Sequence, residues 1–126
     1  MLAAAALPRW AVAGDPADAG RGNYMGSGRA CYGMLTITRQ RITWMTPFSL
    51  CRGSRYAVRD RRDGPNGLRI TYELEEPSPQ CRYRVLVLTH DATADAAIGW
   101  NAVGYPSLES AARESKDEAL GCYLYR

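Results

Sequence analysis

The chain has 126 residues, 46% hydrophobic and 23% charged, with a formal net charge of +3. These totals fit one globular domain and argue against a disordered chain. No stretch approaches the ~20 consecutive apolar residues of a membrane span.

Residues 1–19 are rich in alanine and end near an A-x-A sequence, Ala11-Val12-Ala13. They read as the remnant of a secretory signal or leader, or as a flexible arm, ahead of a single domain over 20–126. Arg21 to Gly28 is dense in glycine. A phosphate-cradling loop needs a strand before it and a helix after it. Here a strand pattern follows, so the segment reads as turns or a bulged first strand carrying Tyr24 and Met25.

Period-two alternation dominates the rest. Leu35 and Ile37 interleave with Thr36 and Thr38, and Ile42 and Trp44 interleave with Arg41, Thr43 and Met45. This predicts a hairpin through Arg39-Gln40-Arg41, with Pro47 ending the second strand. Arg55–Arg59 reads as a further strand. Asp63-Gly64-Pro65-Asn66-Gly67 is a strong turn signal before the alternating run from Leu68 to Leu74. After the loop Glu76-Pro77-Ser78-Pro79, Cys81–Leu88 reads as a strand covered on both faces near Leu88. Ile98–Tyr105 and Leu120–Tyr125 are two more strands. Between them Ser107 is an N-cap, and Leu108, Ala111, Ala112, Ser115 and Ala119 follow helical spacing. The expectation there is a helix over about 107–120 stopped by Gly121.

Four cysteines, Cys31, Cys51, Cys81 and Cys122, form an even set without a C-x-x-C pair. That pattern predicts two disulfides and an oxidising compartment, periplasmic or extracellular. If Gln40 and Arg41 form the first turn, Cys31 falls opposite Leu50, beside Cys51, and a turn near Gly64 brings Cys51 towards Cys81. Three cysteines then gather at one end of the sheet. The preferred pairing is Cys31–Cys51 with Cys81–Cys122, and Cys51–Cys81 with Cys31–Cys122 is the alternative. Metal ligands usually come in closer pairs, and His90 is the sole histidine, so neither a metal nor another cofactor is expected.

Charge is distributed unevenly. Eight arginines face two aspartates between Arg39 and Arg69, while five basic residues face nine acidic ones from Ile70 onward. A basic middle can dock an anionic partner. Arg52, Arg55, Arg82 and Arg84, together with Tyr123 and Tyr125 on one face of the last strand, are the candidate partner-binding residues, because Arg and Tyr anchor interfaces. No catalytic residue is assigned. His90 and Asp91 are neighbours on extended chain and point to opposite faces, there is no G-x-S-x-G elbow, and Glu73, Glu75 and Glu76 read as solvated.

The fold expected is a mainly β meander of six to eight antiparallel strands, closed as a small barrel or stacked as a sandwich, with one C-terminal helix and two disulfides. Its glycine-and-aromatic start resembles, in architecture alone, the small exported barrels of the calycins and the bacterial lysozyme inhibitors. No motif of either is present and no residue role carries over. The function expected is that of an exported, non-enzymatic binding or inhibitory module acting on an envelope or extracellular protein or glycan. A calycin-like carrier of a small apolar ligand and a small hydrolase are the alternatives, and nucleic-acid binding is disfavoured.

Overall fold

Alternating side chains give each strand one face that must leave water, and eight such strands close on themselves. In the computed structural model, which describes residues 19–126, β1 (Gly22–Gly26), β2 (Gly33–Ile37), β3 (Arg41–Thr46), β4 (Ser49–Gly64), β5 (Gly67–Leu74), β6 (Val85–Asp91), β7 (Trp100–Tyr105) and β8 (Leu120–Tyr125) form a closed barrel in sequence order. Every neighbouring pair is antiparallel, and β8 closes the barrel by pairing Met25 with Tyr125 and Gly26 with Leu124. The expected leader or arm lies, apart from residue 19, outside the described residues.

Inward side chains fill the interior. Tyr24, Leu35, Ile42, Ile70, Tyr72, Leu88 and Ala102 are fully buried, with Trp44, Trp100 and Leu124 close behind. Rings meet edge-on or tilted inside: Tyr24 and Trp100 at 5.0 Å, Tyr56 and Tyr72 at 5.1 Å, Trp44 and Tyr83 at 5.7 Å between centroids. Gly104 is required here, since a Cβ would run into the rings of Tyr83 and Trp44.

The strand expected over Cys81–Leu88 begins only at Val85, because Cys81 is tied to Cys51 and Tyr83 turns in against Trp44. From there both faces are covered, as expected. Leu86 and Leu88 point into the barrel, while Val85 and Val87 pack outside it against Tyr105 and Ala111. The strand expected from Ile98 starts at Trp100, because the Ile98 carbonyl faces His90 Nε2 at 2.9 Å.

The helix that supplies Ala111 is short. α1 spans Leu108–Ala112, capped by Ser107, whose hydroxyl accepts from the Ser110 N–H. The predicted extension to about 120 does not form. Glu114 and Glu118 adopt left-handed backbone, at φ 51° and 57°. Only Ser110 and Ala111 of α1 are buried. Tertiary burial, which normally supports a helix this short, is absent beyond them. Gly121 belongs to β8 and does not stop the helix.

The preferred cysteine pairing is also corrected. Cys31 bonds Cys122 and Cys51 bonds Cys81, with Cα separations of 5.6 and 4.4 Å. The cause is register. The β2–β3 turn spans residues 38–40, with the Thr38 N–H donating to the Arg41 carbonyl, so Ile37 faces Ile42. That is two residues off the expected match, which removes Cys31 from the side of Cys51. Cys31 instead sits in the β1–β2 loop, and barrel closure puts that loop beside β8.

Candidate functional site

What the interior does not use is exposed on the outer wall. Tyr125 faces Met25, Met25 faces Met34, Met34 faces Met45 and Met45 faces Leu50, each pair directly across neighbouring strands. These five side chains therefore form one continuous row over β8, β1, β2, β3 and the start of β4. Directly opposed residues on neighbouring strands share a face, with Cβ atoms about 5 Å apart. Met25 is 38% exposed, Met34 43% and Tyr125 46%. Tyr123 stands two residues along on the same face of β8, and Tyr32 and Phe48 project from the β1–β2 and β3–β4 loops. Contiguous apolar surface of this kind marks an interaction site more often than scattered exposure does.

Alternation explains how the row arises. Met25, Met34 and Met45 are the strand neighbours of Tyr24, Leu35 and Trp44, which fill the core. Burying the aromatic or aliphatic partner on the inside forces the methionine outward. Thioether side chains on a surface adapt their shape to what they touch.

The strand segments that carry the row hold charges of one sign. Between Asp18 and Asp60 the sequence contains no aspartate or glutamate, and it holds seven arginines, Arg21, Arg29, Arg39, Arg41, Arg52, Arg55 and Arg59. β8 has no acidic residue either. Within the described residues, every acidic side chain thus belongs to residues 60–119, from the far half of β4 onward.

Of the six predicted partner-binding residues, Arg52 lies two positions along β4 from Leu50, and Tyr125 ends the row on β8, with Tyr123 beside it. Arg55 faces Arg41 across β3 and β4 and lines a groove with Glu75 and Glu76. Arg82 is exposed in the β5–β6 loop, where its N–H donates to Ser49 Oγ at 2.9 Å. Arg84 turns towards β5, with its Nε 3.6 Å from Glu73 Oε2. Arg52 and the two tyrosines therefore lie along the same outer row, at its β4 and β8 ends, and Arg84 lies away from it in an ion pair. The methionines are not legible as a surface in the sequence, because only the strand register puts them side by side. Their signal was present as three methionines, each next to a core residue in an alternating strand.

Three of the groups considered for chemistry, His90, Asp91 and Glu73, have structural partners, and Glu75 and Glu76 line the groove with Arg55. His90 Nε2 lies 2.9 Å from both the Asp95 and the Ile98 carbonyls, so it carries the proton and donates, and the ring stacks on Trp100 at 4.2 Å. Asp91 accepts from the N–H and the hydroxyl of Thr93, and these bonds hold its carboxyl below the usual carboxylate range. Glu73 is held by Arg59, at 2.7 Å, and by Arg84. The Arg126 guanidinium covers Trp100 and Tyr24, at 4.9 and 5.4 Å from the ring centroids. The Tyr24 hydroxyl donates to the Gly20 carbonyl at 2.6 Å, and burial pushes its pKa up to about 12 despite the opposing pull of Arg126. His90, Trp100, Tyr24 and Arg126 thus form a stack at the barrel end away from the disulfides.

No protein-family model, curated protein or solved structure matches this chain. Among the described residues no helix is long and apolar enough to cross a membrane.

Proposed function

We propose that this protein is an exported, non-enzymatic binding or inhibitory module that engages an envelope or extracellular protein or glycan. Its contact surface is the outer face of β8, β1, β2, β3 and the start of β4. The observation that carries this reading is the continuous row Tyr125–Met25–Met34–Met45–Leu50, built from strand segments that carry no acidic residue. The two disulfides support an oxidising compartment. The packed interior supports a surface binder over a carrier, since carrier barrels keep central space for their ligand. The partnered state of His90, Asp91 and Glu73 supports binding over hydrolysis.

A photo-crosslinking amino acid in place of Met34 tests the reading, with the same group in place of Glu109 on α1 as the control. In envelope extract, Met34 should give one discrete adduct that Glu109 does not. Equal labelling from both positions, or none from Met34, would overturn it.

A further inference from the structure

Resting on that reading, we infer that the partner is a protein whose docking surface is an acidic, apolar-floored groove, and that the barrel wall enters this groove convex side first. Three observations on the same face lead to this class of partner.

The first is chemical. The row offers methionine, leucine and tyrosine, and Met25, Met34 and Tyr125 expose enough of their side chains to be covered by a partner. Acidic polysaccharides and nucleic acids can pair with arginine and stack on tyrosine, but they leave thioethers and leucine without apolar cover. A protein surface supplies both kinds of contact.

The second is electrostatic. Arg52 lies on the outer face of β4 two positions from Leu50, and Arg29 lies in the β1–β2 loop at the edge of the row; residues 19–59, which build β1, β2, β3 and the first part of β4, contain no acidic residue. Such a rim attracts carboxylates and repels basic surfaces. It also disfavours a symmetric pair of these chains through the row, because a two-fold contact sets each arginine rim against its own copy.

The third is shape. Each step between strands of an eight-stranded closed barrel turns the surface by about 45°, so the four steps from β8 to β4 turn it through about half a circle. A flat bilayer touches only a short part of such a row. A groove can reach Tyr125 and Leu50 together.

The test uses the full chain and the protein purified from the Met34 adduct. Direct titration of the two should give binding that weakens as salt rises. Arg29→Gln with Arg52→Gln should weaken it about tenfold. Met34→Glu should weaken it further, and Tyr125→Glu should do the same should Met34→Glu fold poorly; each variant's thermal melt is recorded first. Vesicles of equal phosphatidylcholine and phosphatidylglycerol, polygalacturonate and a short DNA duplex should bind the wild-type chain more weakly than that protein. Sedimentation should show no self-association that Met34→Glu abolishes. The inference is overturned if the adduct is a neutral or basic protein, if Arg29→Gln with Arg52→Gln changes nothing, or if vesicles, polygalacturonate, DNA or a second copy bind as tightly. Absence of any Met34 adduct removes the binding-face reading itself, and the inference with it. An adduct without acidic character removes the inference and leaves that reading standing.

Discussion

Cys31 is bonded to Cys122 across 91 residues, so the β1–β2 loop is fixed to the strand that closes the barrel. The second bond, Cys51–Cys81, spans 30 residues and fixes the start of β4 to the loop before β6. A cross-link restricts the unfolded chain more as its loop lengthens. The chain-entropy relation gives about 4–5 kcal/mol for the long loop and about 3–4 kcal/mol for the short one. Replacing Cys31 and Cys122 by alanine should therefore lower the urea midpoint more than replacing Cys51 and Cys81. The reverse order would contradict this account of the two clamps.

Gly28 within the β1–β2 loop and Gly33 at its end predict different costs. Gly33 has φ 143°, and a Cβ there would meet the Met45 carbonyl on β3. Gly28 has φ 97° with open space around it. Gly33→Ala should destabilise the barrel by about 2 kcal/mol or more, through backbone strain together with a clash against main chain. Gly28→Ala carries the strain alone, about 1 kcal/mol. Paired denaturation curves would show it, and equal midpoints would be the contrary result.

Alkaline pH should unfold the barrel in a defined window. The Tyr24 phenol is raised by burial from an ordinary 10.0 to about 12. Above about pH 10 the unfolded chain releases this proton and the native chain keeps it. The contribution is therefore complete below about pH 10 and is lost as pH rises towards 12. Burial raises Tyr83 and Tyr105 in the same direction. Stability measured across this window should fall with pH, and Tyr24→Phe should make the fall shallower. A slope unchanged by that substitution would contradict the assignment.

Much of the barrel is legible in the residues because alternation and burial agree. Leu35, Ile37, Ile42, Trp44, Leu68 and Ile70 alternate in the sequence and are buried in the structure. Leu86 and Leu88 break the polar face of their strand, which already implied the outside packing of Val85 and Val87. The failures are the places where distant chain decides. The turn after Ile37 is set by Thr38 and Arg41, and its two-residue difference in register was enough to favour the wrong cysteine pairing. The helical spacing after Ser107 is real, but Arg113 to Glu118 have nothing to bury against, so spacing without a partner surface does not hold a helix.

The candidate face was legible only in part for the same reason. Tyr123, Tyr125 and Arg52 were visible as residue types that make interfaces. The methionines become a surface only when five strands are placed side by side, and the barrel's closure, which joins β8 to β1, leaves little local mark in the sequence.

Hydroxyl-radical footprinting of the chain, free and bound to the protein isolated from the Met34 adduct, tests the central claim most directly. Met25, Met34 and Tyr125 should lose reactivity on binding. Leu108, exposed on α1 at 38%, should keep its reactivity. Protection of Leu108 with the methionines left reactive would contradict the account.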